Sequence, residues 1–326
     1  MKTKRDGMRV GVIGTGRLGR EHARVYSSLE TVKRLSVYDR DSARCESVAK
    51  EHGAQPFDTV EALLAECDAV SICTPATNHH GAAMSAFKAG VHVLVEKPIA
   101  SDTAAARDMI ARADSNGVIL QVGHIERFNG AFEAARNLVR NPRFIEAHRL
   151  STFSLRGIDV SVVQDLMIHD IDLILTLLAG DSIADLRASG AGVLTGAPDI
   201  VNARIEFTGG CVANVTASRI SREPLRKIRF FEENRYVSVD LREKSIEAFE
   251  KTGDFEAAGE VLDPGLIIRS IPVTVDQSEP LRKEIVSFLA AVRGEAGPAV
   301  SGEEGVAALG VAERVLESIA RNWSAR

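Results

Sequence analysis

Cysteine is scarce in this chain of 326 residues: Cys45, Cys67, Cys73 and Cys211 are scattered, with no C-x-x-C and no framework. That sets aside a disulfide scaffold and points to reduced thiols, the state expected of a cytoplasmic protein. Long apolar runs are missing too. The longest candidate, 171–179, is broken by Asp172 and falls short of a bilayer, so no membrane partner is expected. Residues 1–5 are basic, but a glycine turn rather than an apolar core follows, which is not the pattern of a secretory leader. Nor is there an excess of positive charge. A net charge of −5 and a pI near 6.0 argue against nucleic acid as a partner. Low-complexity tracts and internal repeats are absent as well.

What is present is an ordinary globular composition, 45% hydrophobic and 26% charged, in a chain long enough for two domains. The stretch Arg9–Leu29 organises the first of them. Val10, Val12 and Ile13 read as a buried strand, and Leu18, His22, Val25, Tyr26 and Leu29 share one face of a following helix. Between them lies Gly14-Thr15-Gly16-Arg17-Leu18-Gly19, a G-x-G-x-x-G where a strand passes into a helix. Gly14 permits the tight turn, Gly16 lets backbone approach a pyrophosphate, and Gly19 lets helix and strand pack closely. The helix N-terminus offers free N–H groups and partial positive charge to the phosphates.

Such a turn alone is weak evidence, since a nucleotide-free α/β domain carries it equally well. Its surroundings add weight. A second strand, 35–38, ends at Asp39, placed to accept hydrogen bonds from an adenosine ribose. Asp39 favours NAD, because a carboxylate repels a 2′-phosphate; the adjacent Arg40 keeps NADP open.

Strand-type runs then alternate with helices, which implies a parallel sheet with right-handed crossovers. The run 69–73 ends at Thr74 and Pro75, with Asn78 and His79 just beyond, in a loop facing the ligand crevice. Asn78 also reads as a plain N-cap, and His79 taken alone as a surface histidine. Strand 91–95 runs into Glu96-Lys97-Pro98, and charge at the carboxyl end of a buried strand is costly without a purpose; a helix-entry turn with a surface ion pair is the bland alternative.

The glycine motif, the strand-terminal Cys-Thr-Pro with Asn78-His79, and the Glu-Lys-Pro together resemble the Gfo/Idh/MocA family of NAD(P)-dependent oxidoreductases. The resemblance runs through essentially the whole chain. It implies that Lys97 is catalytic and reaches the reacting hydroxyl. The cofactor set is then Gly14, Gly16, Arg17, Leu18, Gly19, Asp39, Arg40, Thr74, Pro75, Asn78, His79, Glu96 and Lys97. The expected fold is α/β: an N-terminal Rossmann domain with a doubly wound parallel sheet, 1–123, and a C-terminal α+β domain with a mostly antiparallel open sheet, 124–326. The C-terminal helices, 279–293 and 303–320, are free to pack back on the first domain. In the family the polar segment 124–129 lies near the nicotinamide, which makes Arg127 and Asn129 substrate candidates.

A second constellation lies on 161–179, helical by its apolar spacing. Asp165, His169, Asp172 and Thr176 recur at helical steps on one stripe. An aspartate one turn before a histidine can orient it as a general base near neutral pH. A solvent-facing histidine is the bland alternative. A metal site is set aside because one histidine with carboxylates is a thin ligand set. By resemblance, Lys97, Asp165 and His169 match the family's active-site trio.

Beyond Gly180 the chain reads as hairpins at 201–218 and 228–239, with extended runs at 246–249 and 266–275. One face of this sheet is expected to pair with another subunit, as a homodimer or homotetramer, because Val237 and Val239 would otherwise be exposed. Arg219, Arg222, Arg226, Lys227 and Arg229 form a basic run that reads as a guarded strand edge. The sharper reading is a diphosphate clamp, with Arg219 at its start. Together with 124–129 the run is similar to the nucleotide-sugar branch of the family, the UDP-N-acetylglucosamine 3-dehydrogenases. The function expected is oxidation of a secondary sugar hydroxyl, the 3-hydroxyl of a UDP-N-acetylhexosamine, with hydride passing to NAD. The alternatives are a dehydrogenase of a free polyol or monosaccharide such as an inositol, and a cofactor-sensing regulator without chemistry.

Overall fold

A computed structural model describes residues 7–154, 160–253 and 267–323. Two compact units emerge. One takes the chain up to Ile125 together with Glu279–Gly310; the other takes Glu126–Ser278 and the chain from Val311.

The first unit alternates strands and helices: β1 (Met8–Ile13), α1 (Arg17–Ser27), β2 (Val32–Tyr38), α2 (Ser42–His52), β3 (Gln55–Pro56), α3 (Val60–Ala65) and β4 (Ala69–Ile72). Then come α4 (His79–Lys88), β5 (His92–Glu96), α5 (Thr103–Asn116) and β6 (Leu120–Gly123). The strands are parallel and ordered β3-β2-β1-β4-β5-β6, the doubly wound order that reverses direction next to β1. Strands such as Ala69–Ile72 are buried on both faces, which is why they read as unbroken apolar runs. Local chemistry sets the helix ends. Asp41, Thr59 and Asp102 accept hydrogen bonds from the backbone N–H three residues on, and Gly53 and Gly117 close α2 and α5 in the left-handed region. The edge strand β3 is two residues long and gave no sequence signal.

In the second unit follow α6 (Gly130–Leu138), β7 (Phe144–Leu150), α7 (Ile168–Leu177), β8 (Ile183–Ala191), β9 (Ile200–Phe207) and β10 (Val212–Ser218). After them come β11 (Leu225–Phe231), β12 (Arg235–Asp240), β13 (Ser245–Lys251) and β14 (Ile268–Ser270). The sheet order is β14-β13-β12-β11-β7-β10-β9-β8, antiparallel except where β10 runs parallel to β7. The chain closes with α8 (Pro280–Val292), in the first unit, and α9 (Gly302–Trp323). In α8, Leu281, Ile285, Phe288 and Leu289 join Val25, Tyr26, Val37 and Val48 in one apolar cluster on β1 and β2. Among the described residues no helix is long and apolar enough to cross a membrane.

Three expectations are corrected here. Val237 and Val239 are fully buried within the chain, in register with Phe230 and Ile228, so they give no reason for a second subunit. Arg226, Lys227 and Arg229 lie on β11, which is paired on both sides by β12 and β7 and is no edge. The extended run 266–275 is strand only at Ile268–Ser270, and Leu266 lies outside the described residues.

Candidate active site

The three glycines of the first turn differ physically. Gly14 has φ +91°, open to glycine and costly for other residues, and its N–H donates to Tyr38 O at 2.8 Å. At Gly19 an added Cβ would lie 1.8 Å from Gly14 O, so the first turn of α1 rests directly on the loop. At Gly16 a Cβ would meet nothing within 4 Å. That open space lies at the N-terminus of α1, where free N–H groups and the helix dipole favour an anion. Arg17 and Leu18 are the first two residues of α1. Leu18, at the second position of α1, is 46% exposed rather than buried on the helix face.

Asp39, at the end of β2, reaches back to this loop. Its Oδ2 accepts from Thr15 N at 2.7 Å and Thr15 Oγ1 at 3.1 Å, and its Oδ1 accepts from Asp41 N at 2.9 Å. Arg44 Nη1 lies 3.6 Å away, and Arg40 is exposed.

The loop after β4 adds Thr74, Pro75, Asn78 and His79. Thr74 Oγ1 is buried with no protein partner, an orphan that a bound ligand can satisfy. Asn78 occupies the N-cap of α4 without making a side-chain cap bond, and it is exposed. Capping therefore does not account for it. His79 is no surface residue: it is buried between Pro98 O, 2.9 Å from Nδ1, and Thr74 O, 2.8 Å from Nε2. Burial pushes its pKa down, toward the neutral ring, which can donate to one of these carbonyls. It ties the two loops of the crevice together rather than facing it.

Glu96 ends β5 in a buried polar chain. Tyr26 Oη lies 2.8 Å from Ser71 Oγ, Ser71 Oγ lies 3.0 Å from His22 Nδ1, and His22 Nε2 lies 3.0 Å from Glu96 Oε1. Glu96 Oε2 accepts from the Lys97 amide at 3.3 Å. Burial alone would raise the Glu96 pKa, but the hydrogen bond from His22, with the charge of Lys97 nearby, brings it below the ordinary value. Lys97 itself is half-buried at the crevice end of β5.

In the second unit the helix opens with a π turn over Val163–Met167 and continues as α7. Just before it, Ser161 Oγ accepts from Gln164 N at 3.1 Å and donates to Gln164 Oε1 at 3.3 Å. The π turn carries Asp165, and His169 follows one turn later; both are half-buried. Such turns recur at functional sites. The extra residue in the turn shifts the phase of the stripe. Asp172 is buried in a bidentate pair with Arg127, 2.6 Å from Nη2 and 2.8 Å from Nε, and Thr176 Oγ1 donates to Asp172 O. Asn129 is also occupied structurally: it caps α6 and donates to Glu126 and to Leu241 O. Arg219 is half-buried and donates to Val160 O at 2.6 Å.

Two features escaped the sequence reading. Arg149 is buried between Asp170 and Glu126, each at 2.8 Å. Glu284 on α8 is fully buried beside His22 and Glu96, their ligand atoms all within 4.8 Å. The one available signal was a glutamate on an apolar helix face, spaced with Leu281, Ile285 and Phe288.

Residues 8–124 match the model of an oxidoreductase family with an NAD-binding Rossmann fold, Gfo/Idh/MocA. A UDP-N-acetylglucosamine 3-dehydrogenase of Acidithiobacillus ferrooxidans is 40% identical over 287 residues, 87% of this chain and 88% of the relative. A solved structure of that enzyme from the same organism superposes with a TM-score of 0.88 at 37% identity, covering 96% of this chain and 97% of the other. An inositol 2-dehydrogenase of Rhizobium meliloti is 28% identical over 339 residues, 96% of this chain and 97% of the relative.

Proposed function

The chain belongs to the Gfo/Idh/MocA family of NAD-binding oxidoreductases, and from that premise we propose that it oxidises the 3-hydroxyl of a UDP-linked N-acetylhexosamine. The observation that carries this reading is the 40% identity to a UDP-N-acetylglucosamine 3-dehydrogenase across 87% of the chain, both units included. The glycine loop supports it, with room at Gly16 for a diphosphate and Asp39 at the ribose position, which favours NAD. When bound, NAD accepts the hydride from the carbinol carbon.

The residues divide the remaining work. His169 takes the hydroxyl proton, and Asp165, one turn before it on the π turn, orients the ring. Lys97 stabilises the developing alkoxide with its positive charge. Arg219 contributes to binding the substrate diphosphate. Arg127 and Asn129, held by Asp172 and by the α6 cap, shape that unit and leave direct substrate contact to the others. The oligomer, formed through the open sheet, rests on a ladder of half-buried aromatics: Phe144, Phe231, Tyr236 and Phe249, with ring centroids 5.1 to 6.3 Å apart.

Incubation with NAD and a panel of UDP-sugars and free polyols tests the reading, with NADH absorbance as readout. Turnover of UDP-N-acetylglucosamine, lost in Lys97→Ala and His169→Ala while NAD still binds, is the expected result. Turnover confined to inositols would transfer the function to the polyol class, and no reduction with any substrate would leave a cofactor-sensing protein.

A further inference from the structure

The buried cluster of His22, Glu96 and Glu284 lies wholly in the cofactor unit and has no place in the chemistry above. Its hydrogen bonds form one chain, in which Ser71 Oγ bridges Tyr26 Oη and His22 Nδ1, and the Glu96 carboxylate accepts from His22 Nε2–H at the end. The Lys97 amide donates to the other oxygen of Glu96. Glu284 is 0% exposed, and neither of its carboxyl oxygens has a partner.

A buried carboxylate in that position would carry an uncompensated charge next to a second one. The nearby groups offer it nothing. Both nitrogens of His22 are engaged, and the Gln121 amide turns to Glu284 O and to Ala299 N instead. The Cys73 thiol beside it is kept protonated by burial and by the charge of Glu96, and burial likewise raises the Tyr26 pKa. His79 is driven toward neutrality by its own burial. Among the groups named, Glu96 alone can engage Glu284, and only as an acceptor. A metal ion fits poorly, because His22 has no free nitrogen and the three ligands are sealed from solvent.

We propose that Glu284 is a positioning residue for Lys97: it keeps its proton, donates it to Glu96, and so holds that carboxylate against His22 and the Lys97 amide. The consequence for turnover rests on the dehydrogenase reading of Lys97; the protonation itself does not. Burial and the charge of Glu96 push the Glu284 pKa well above the carboxylate range, in the direction required.

The test uses the full chain with Glu284→Gln, which keeps a donor, and Glu284→Met, which fills the space without one. With UDP-N-acetylglucosamine, Glu284→Met is expected to lower kcat about tenfold while KM and the NAD Kd change less than about twofold, and Glu284→Gln restores most of kcat. An unaltered kcat in Glu284→Met overturns the positioning role. Absence of turnover in the natural protein would instead defeat the dehydrogenase reading, and thermal unfolding then decides the cluster alone. The folded protein keeps a proton that the unfolded chain releases above about pH 4.3. The stability of the natural protein therefore falls with rising pH relative to Glu284→Gln, and the Tm gap in favour of the variant widens from pH 5.5 to 8.5. A gap independent of pH, or a Tm lowered by a chelator, overturns the proposal.

Discussion

Asp39 and Thr15 form a closed pair at the mouth of the glycine loop: one carboxylate oxygen accepts both the backbone N–H and the hydroxyl of Thr15, at 2.7 and 3.1 Å. The acid proposed to meet a ribose therefore also holds the loop proposed to meet the diphosphate. Replacing it should damage both contacts at once. Asp39→Ala is expected to weaken NAD binding by about tenfold or more, the loss of charge-assisted hydrogen bonds. Because Arg40 and Arg44 remain, affinity for NADP should fall less, so the NAD/NADP ratio narrows. Titration calorimetry with both nucleotides checks this; an unchanged ratio would remove Asp39 from cofactor choice.

Gly16 and Gly19 offer a sharper contrast. A Cβ at Gly16 meets open space and the backbone there, φ −62°, suits any residue, so Gly16→Ala should stay within about 0.5 kcal/mol of the original stability. It should nonetheless lose NAD, because the methyl fills the space meant for phosphate. Gly19→Ala drives a Cβ into Gly14 O and should cost roughly 1–3 kcal/mol or more in stability. Thermal melts with and without NAD separate the two effects. If Gly16→Ala bound NAD normally, the open space would not be the phosphate site.

The Arg127–Asp172 pair is buried and bidentate. Asp172→Asn removes the charge that pairs with a buried guanidinium and should destabilise by about 3–5 kcal/mol in urea unfolding. Arg127→Met with Asp172→Leu should recover most of that, since removing both charges removes the desolvation penalty. Recovery of stability without recovery of activity would return Arg127 to the substrate site.

Asp199 contributes to the acid limb of stability. It is buried and accepts from the amides of Val193, Leu194 and Thr195 at 2.8, 2.7 and 3.0 Å, and from Thr195 Oγ1 at 2.8 Å. Burial alone would raise its pKa, but these donors bring it down to about 2. A depressed carboxylate stabilises the fold above its unfolded pKa, about 3.9, and the gain fades as pH falls toward the folded value. Asp199→Asn should therefore lower Tm at pH 7, with the deficit shrinking below about pH 4. A deficit constant over that range would show that the loss is one of packing.

What was legible in the sequence was local. The roles of Gly14, Gly16 and Gly19 follow from one strand-turn-helix junction, and Asp39 from the end of the next strand. Asp41, Thr59 and Asp102 cap helices for reasons contained within four residues. What failed depended on partners far along the chain. The stripe through Asp165, His169 and Asp172 assumed unbroken helical phase, but a π turn interrupts it and Asp172 answers to Arg127. Glu284 read as a helix-face charge until α8 placed it against His22 and Glu96. Alternation in β12 showed that one face is buried, but not which one, so Val237 and Val239 were assigned to the wrong side.

That last correction moves the interface argument onto the opposite face. Phe144, Phe231, Tyr236 and Phe249 are register partners on β7, β11, β12 and β13, stacked across four adjacent strands and only half-buried. Aromatic side chains left so exposed gain most when a second surface covers them. Flanking Arg229 already pairs with Glu146 at 2.6 Å, which leaves the aromatics as the uncompensated part of that face. Tyr236→Arg, placing charge at the centre of the ladder, should convert an oligomer to monomer without altering the buried core beneath. Light scattering at matched concentrations measures it. A monomer in the unsubstituted protein, or an oligomer untouched by Tyr236→Arg, would place the contact elsewhere.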